Sequence, residues 1–285
     1  MAEITAELVK ELREKTGAGM MDCKRALSAC DGDLEKAIDQ LRKEGTVKAA
    51  KKAGRATSEG LVGLAVSTDK KTASLVELNC ETDFVANTDQ FKAYLNTLAE
   101  KVAEAKPANL EALLATKVGE GTVQDSLTGL IAKVGENMSI RRFKVVSAGE
   151  GEQLSAYVHA GAKIGVVIRV KSATLDADSI RDVAMHTAAM NPRFVERGQV
   201  PQDIVAREKE IAKASPDLAN KPANIIDKIL EGTVNRFYIE NCLVEQIFIK
   251  DTTGKQSVGA FLKSKDAQAQ IAEAVRFQVG EEISQ

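Results

Sequence analysis

The chain has 285 residues, of which 44% are hydrophobic and 28% charged, a composition that suits a folded protein of two or more modules and excludes wholesale disorder. Its 39 basic and 41 acidic residues leave a net charge of -2, so no overall field draws the molecule toward nucleic acid or an anionic membrane. The start of the chain carries neither a basic leader nor an apolar stretch, and no run approaches the roughly 20 apolar residues of a membrane span, which predicts a cytoplasmic protein.

Residues 1–45 have the pattern of three short helices separated by glycines, which end helices because they accept positive φ. Thr5 and Asp33 are suitable N-caps for the first and third helices. The second helix has its apolar side at positions i, i+3 and i+7, formed by Met20, Cys23 and Leu27. We expect the third helix to end before Gly45 and the three apolar faces to pack together.

A basic run follows this module in an alanine-rich stretch. It consists of Lys48, Lys51, Lys52 and Arg55. The pattern favours a helical, solvated connector to the next module. The alternative is a contact between this run, together with residues 1–45, and RNA, which predicts strongly salt-dependent binding. The run lacks the interleaved aromatic residues on which bases stack, so we expect no direct contact with nucleic acid.

From residue 61 the hydrophobic period changes from helical to extended. Residues 61–66 and 73–78 are separated by a polar turn, which predicts a β-hairpin. The next apolar stripe has helical spacing and consists of Phe91, Leu95, Leu98 and Val102. A helix is therefore expected to pack this stripe on one face of the hairpin.

A similar unit recurs later in the chain. Residues 154–158 and 164–170 predict a second hairpin, and a helix is expected from about Asp178. A short helix over residues 127–135 and a strand over residues 140–146 lie between the two units. We therefore expect a core of two related halves, each an antiparallel hairpin packed with a helix.

Proline punctuates the second half of the chain. Four of the five prolines bracket two short helical runs, which is typical of a protruding helical hairpin. These are Pro192, Pro201, Pro216 and Pro222. Core-like segments return after residue 237, so the hairpin is inserted within the second half of the core.

The predicted fold class is therefore α+β, with four parts. These are a three-helix module and linker at 1–55, a first core half at 56–138, a second core half at 139–200 and 237–285, and an inserted helical hairpin at 201–236.

Catalytic groups are scarce. The two histidines, His159 and His186, are separated by a predicted strand and helix, which is a poor basis for a metal site or a Ser-His-Asp system. We expect His186 to be a satisfied helix histidine and His159 to be exposed. The four cysteines lack the close spacing of zinc or redox motifs, and no phosphate-binding glycine motif occurs. The sequence predicts neither enzyme nor cofactor; a cysteine-based enzyme, the alternative, requires a reactive Cys80 beside a histidine.

Residues 82–85, here named the 82–85 loop, allow two interpretations. In the structural one, Thr82 or Asp83 caps a short turn and Phe84 folds back to staple the helix that follows. In the functional one, Phe84 stays exposed beside Val85 as an anchor for a partner, and Asp83 accepts hydrogen bonds in the partner's site. The local sequence does not choose between them.

Three blocks of sequence resemble the bacterial elongation factor Ts family. They are TGAGMMDCK at 16–24, CETDFV at 80–85 and GENMSIRR at 135–142. These blocks are long and stand in the family's order, and residues 157–159, 184–186 and 275–281 extend the similarity through nearly the whole chain. The C-terminal helical module of some relatives is expected to be absent.

The resemblance implies a nucleotide exchange factor for elongation factor Tu, with a ubiquitin-associated-like N-terminal module and a hairpin that some members use for self-association as homodimers. In the family, a segment intrudes beside the partner's nucleotide site and dislodges its magnesium ion. The matching residues here are Thr82, Asp83, Phe84 and Val85. The resemblance assigns other partner contacts to Arg13, Met20, Met21 and His159.

Overall fold

The computed structural model describes residues 4–215 and 221–282. The helices are α1 (Ala6–Thr16), α2 (Met20–Ala29), α3 (Leu34–Ala50), α4 (Asp83–Ala86), α5 (Asp89–Ala105), α6 (Leu110–Ala115), α7 (Val123–Val134), α8 (Ala177–Met190), α9 (Gln202–Lys213), α10 (Ala223–Asn241) and α11 (Val258–Lys265). The strands are β1 (Glu59–Val66), β2 (Thr72–Cys80), β3 (Lys117–Val118), β4 (Gly121–Thr122), β5 (Met138–Ser147), β6 (Glu152–Val158), β7 (Ile164–Lys171) and β8 (Gln270–Gln278). This mixture of helices and antiparallel sheet confirms the α+β class.

The chain divides into two compact units. One consists of Met1–Gly63, Val76–Phe143 and Val279–Gln285, and the other of Leu64–Leu75 and Lys144–Gln278. Among the described helices, none is long and apolar enough to cross a membrane.

Helices α1, α2 and α3 share an apolar core in the first unit. Thr5 Oγ1 accepts a hydrogen bond from Leu8 N, and Asp33 Oδ1 accepts one from Lys36 N, so both predicted N-caps are confirmed. The buried side chains of this core are Val9, Leu12, Cys23, Ala26, Leu27 and Ala37.

Two details of this module differ from the sequence expectation. Helix α3 does not end before Gly45 but continues to Ala50. Gly45 is buried, and a Cβ added there would lie 3.4 Å from Ala132 Cβ on α7, so this glycine permits a close helix approach instead of ending a helix. Met20 is 57% exposed because it is the first residue of α2 and its side chain projects beyond the shared core.

Strands β1 and β2, where the sequence predicts the first hairpin, are neighbours in a sheet of order β1-β2-β5. The predicted stripe of α5 is buried, and its members are Phe91, Leu95, Leu98 and Val102. Leu95 reaches the sheet at Gly63, where an added Cβ would lie 2.7 Å from Leu95 Cγ. Helix α5 thus packs on this face of the hairpin, as the period predicts.

Gly60 in β1 offers a direct test of backbone packing. Its φ is +150°, and a Cβ there would lie 2.2 Å from Leu78 O and 2.7 Å from Asn79 Cα. We expect Gly60→Ala to lower the free energy of unfolding by about 1–3 kcal/mol or more, because the backbone itself must move. Gly54→Ala is the control, since a Cβ added there meets no atom within 4 Å in the described ranges, apart from its chain neighbours. Equal urea midpoints for the two variants would contradict this packing.

The second compact unit contains a sheet and a helix at the place of the second hairpin and helix of the sequence analysis. Strands β6, β7 and β8 form an antiparallel sheet in that order, with Tyr157 opposite Val166 and Ile168 opposite Ala274. Helix α8 packs on this sheet through Ile180 and Val183, which are buried. The sequence predicts a hairpin and a helix in this part of the chain.

Helices α9 and α10 pack on each other in the second unit. Pro201 and Pro222 occupy their N-cap positions, where a proline costs no helical hydrogen bond. The second of the two predicted helical runs is longer than expected: α10 covers 19 residues. Pro216 lies outside the described residues.

Candidate functional site

The 82–85 loop contains the N-cap Thr82 and the first three residues of the one-turn helix α4. Thr82 Oγ1 accepts a hydrogen bond from Val85 N at 3.4 Å, so Thr82 caps the turn as the structural interpretation expects. Phe84, however, is 83% exposed and does not staple the following helix. Asp83 is also exposed, and its carboxylate has no hydrogen-bond partner among the described residues. The loop thus combines the cap of one interpretation with the exposed aromatic of the other.

Two glutamates brace this loop against the segment that precedes β5. The Glu136 carboxylate accepts hydrogen bonds from Thr82 N at 3.0 Å and from Thr82 Oγ1 at 2.7 Å. In the opposite direction, Glu81 Oε1 accepts a hydrogen bond from Asn137 N at 2.6 Å. Two of the sequence blocks that carry the family resemblance are therefore hydrogen-bonded to each other.

Asn137 extends this brace to the connector after α3. Its side-chain Nδ2 donates to Arg55 O at 2.8 Å and to Ala53 O at 3.4 Å. The residue is buried, so these bonds satisfy an amide that would otherwise be costly to remove from water. The only sign of these hydrogen bonds in the sequence is the presence of polar residues in the motif at 135–142, where a strand begins.

Glu77 is a buried carboxylate in β2 with structural partners. It accepts hydrogen bonds from Arg141 Nη1 at 3.0 Å, from Arg142 Nε at 2.7 Å and from Gly280 N at 3.1 Å. Burial pushes the pKa of Glu77 upward, but these donors outweigh it and hold the pKa below its usual value of 4.5. Glu77 and Glu81 therefore have separate sets of partners, and no group of potential metal ligands occurs among the described residues.

The other proposed contact residues are exposed. Arg13 lies on α1, and Met20 and Met21 open α2 with exposed fractions of 57% and 73%. His159 follows β6 in the second unit, where its Nδ1 lies 2.9 Å from Tyr157 Oη. The structure leaves all four side chains accessible to a partner.

His186 is the satisfied helix histidine that the sequence predicts. Its Nδ1 accepts a hydrogen bond from Ile249 N at 3.1 Å, so the proton lies on Nε2, which faces Gln246 Oε1 at 3.0 Å. Burial lowers the pKa of His186 below 6.5, against a smaller opposing effect of Gln246.

The neutral state of His186 predicts a pH dependence of stability. Below pH 6.5 the unfolded chain binds a proton at this histidine more readily than the folded chain does. The free energy of unfolding is therefore expected to fall as the pH decreases from about 6.5 toward the folded pKa. Urea unfolding at pH 7.5 and 5.5 measures the effect. If His186→Gln loses as much free energy of unfolding between pH 7.5 and 5.5 as wild type does, the assignment is contradicted.

The two alternatives to a docking protein lose support. Cys80 is buried, and its thiol donates to Thr82 O at 3.1 Å, which is not the arrangement of an activated nucleophile. In the basic run, Lys48 pairs with Asp22 at 2.9 Å and Arg55 with Glu81 at 3.4 Å. Half of its cations thus already have carboxylate partners.

Comparison with known proteins agrees with this picture. The family model described as Elongation factor TS matches residues 81–281. Elongation factor Ts of Trichlorobacter lovleyi is 46% identical over 290 residues, covering 98% of this chain and 93% of its own length. The proteins of the same name from Nautilia profundicola and Lactiplantibacillus plantarum are each 43% identical, covering 99% of this chain and 94% of their own. The chain belongs to the elongation factor Ts family and is accordingly a translation elongation factor, not an enzyme.

Proposed function

We propose that the protein is a guanine nucleotide exchange factor for elongation factor Tu, acting in the cytoplasm during translation elongation. It promotes GDP release by displacing magnesium and disturbing the phosphate site of the partner. The observation that carries this proposal is Phe84, which stands 83% exposed on a one-turn helix whose cap is tied to Glu136. An exposed aromatic on a fixed support is suited to enter a partner's site.

The chemistry of exchange requires no covalent step. A magnesium ion bridges phosphate and protein and is the largest local charge in such a site, so its displacement weakens the hold on the nucleotide. Asp83 supplies a carboxylate that has no hydrogen-bond partner in the described part of the chain, able to compete for donors near the phosphates. Phe84 supplies apolar surface whose burial contributes about 1.5–3 kcal/mol.

One phenylalanine does not suffice to hold open a nucleotide site, so the loop needs a large contact elsewhere. Coupling is reciprocal: whatever factor this protein removes from the nucleotide affinity, bound nucleotide removes from its own. A multidomain interface of a few thousand Å² supplies the surplus. In this proposal the contacts outside the loop are made by Arg13, Met20, Met21 and His159.

The proposed division of labour follows the four parts of the chain. Residues 1–55 act as a ubiquitin-associated-like docking module, and the first core half, 56–138, carries the 82–85 loop. The second core half, 139–200 and 237–285, grips another domain of the partner. Self-association through the inserted hairpin at 201–236 stays a prediction.

Release of a fluorescent GDP analogue from elongation factor Tu tests the proposal. We expect the protein to accelerate release in the presence of excess unlabelled GDP and magnesium. The acceleration should shrink when magnesium is first removed with a chelator, since the step that the protein promotes has then already occurred. An unchanged rate of release in magnesium would refute exchange, and an equal acceleration with and without magnesium would refute the displacement mechanism.

A further inference from the structure

We infer that Glu136 is a positioning residue for nucleotide exchange, which holds the 82–85 loop in its exposed geometry through Thr82. This inference rests on the proposed function for its consequence, but not for its geometry. Glu136 lies 54 positions along the chain from Thr82 and outside the segment that enters the partner's site.

Glu136 occupies both donors of Thr82. The backbone N–H of Thr82 donates to Oε2 at 3.0 Å, and the hydroxyl donates to Oε1 at 2.7 Å. The carbonyl of Thr82 in turn accepts from Cys80 Sγ at 3.1 Å and from Ala86 N at 3.3 Å. Thr82 is only half-buried, so its own burial contributes little to holding this end of the turn. The position of the loop at Thr82 therefore depends on these hydrogen bonds, which act beside the burial of Ala86 at the other end of α4.

The attachment is crossed, which makes it rigid. Glu136 holds the backbone at Thr82, while Glu81, next to Thr82, holds the backbone N–H of Asn137, next to Glu136, at 2.6 Å. Each segment thus supplies one carboxylate acceptor and one backbone donor to the other. Two such points in opposite directions resist both sliding and rotation of the loop on the segment at 135–138.

The carboxylate bonds are of the strong kind. Hydrogen bonds to a charged acceptor are shorter and contribute more than those between neutral groups. A loop that is ordered before binding also avoids the cost of ordering it in the complex. Loss of the Glu136 carboxylate is therefore expected to reduce the maximal acceleration of nucleotide release about 10-fold.

The free protein offers a test that does not involve exchange. The chain contains no tryptophan, so the Phe84→Trp variant carries a single indole at the tip of the loop, which is excited selectively at wavelengths where the three tyrosines do not absorb. We expect Glu136→Ala in this background to lower the time-resolved anisotropy of the indole, because the loop gains fast local motion. Glu150→Ala is the matched control, since Glu150 is an exposed loop glutamate without a partner among the described residues. Thermal unfolding of each variant separates local loosening from general loss of stability.

The second measurement uses the natural Phe84. It separates a role of Glu136 in positioning the loop for exchange from a role in stabilising the fold alone. Release of fluorescent GDP is followed over a range of concentrations of wild type, Glu136→Ala, Glu136→Gln and Glu150→Ala. We expect Glu136→Ala to lower the maximal rate while its affinity for the GDP-bound partner changes less than about threefold, because docking depends on other surfaces. Glu136→Gln keeps one acceptor oxygen and should recover part of the rate.

The outcomes separate the two proposals. Unchanged anisotropy in Glu136→Ala overturns the positioning role, and so does a changed anisotropy with an unchanged maximal rate. If wild type itself fails to accelerate release, the proposed function is refuted, while the anisotropy still decides whether Glu136 fixes the loop. A fall in the unfolding temperature that fully accounts for the lost rate also overturns the inference.

Discussion

Replacing Phe84 with alanine is expected to reduce the acceleration of GDP release about 10- to 100-fold, which corresponds to the burial energy of one phenylalanine in the partner's site. The side chain makes little contact with its own protein, since it is 83% exposed. Its removal should therefore leave the free energy of unfolding nearly unchanged. The measurement is the release of fluorescent GDP at a saturating concentration of each variant.

The same variant distinguishes a wedge from a plain anchor. If Phe84 weakens nucleotide binding, reciprocity requires that its loss lower the affinity for nucleotide-free elongation factor Tu more than the affinity for the GDP-bound form. Equal losses in both states would mean that Phe84 holds the partner without acting on the nucleotide. Leu110→Ala is the control, because Leu110 is an exposed apolar residue of the same unit outside every proposed contact. Asp83→Asn removes the carboxylate charge while keeping nearly the same side-chain shape, so its rate of GDP release measures the contribution of the charge alone.

Replacing Glu77 with alanine is expected to lower the free energy of unfolding by about 2–4 kcal/mol, since two partly exposed arginines and a backbone N–H lose a fully buried carboxylate acceptor. Arg141 and Arg142 converge on Glu77, and the backbone of Gly280 donates to it as well. Glu100→Ala is the matched control, because Glu100 is exposed on α5 and should change stability by less than about 0.5 kcal/mol. Urea unfolding at pH 7 measures both; similar midpoints would contradict the role of Glu77.

The pH dependence gives an independent check on Glu77. Its pKa in the folded protein is held below 4.5, so the unfolded chain takes up a proton first as the pH falls. The stabilisation is therefore fully present well above pH 4.5 and is lost as the pH falls through the folded pKa. Glu77→Gln should be less stable than wild type at pH 7 and should lose less stability between pH 5 and 3. Parallel losses in the two proteins would contradict this.

The elements of the fold were predictable where the hydrophobic period is regular. The stripe of α5 and the two hairpins follow from spacing alone, because burial of one face dictates a period of 3.6 or 2. The N-caps at Thr5 and Asp33 were also predictable, since a cap depends on residues within one turn. The continuation of α3 through Gly45 was not. That glycine is explained by Ala132, which is remote in the sequence.

The candidate site shows the same limit. Thr82 as a cap follows from local sequence, but the exposure of Phe84 does not, since a hydrophobic residue after a cap often packs on its own helix. The hydrogen bonds from Asn137 N to Glu81 and from Thr82 to Glu136 join residues more than fifty positions apart, so no local pattern indicates them. The family resemblance pointed to the loop, whereas the hydrogen bonds that hold it were visible only in the folded chain.

The single turn of α4 also fixes the direction in which each side chain of the loop points around the helix axis. Successive helical residues are turned by about 100°, so Phe84 and Ala86 lie about 200° apart around the axis. Ala86 is fully buried while Phe84 is exposed, which matches this angle. Deleting one residue between Thr82 and Phe84 would turn the aromatic ring by about 100° away from its present direction. A deletion here therefore changes the direction in which Phe84 points, even though the aromatic side chain itself is retained.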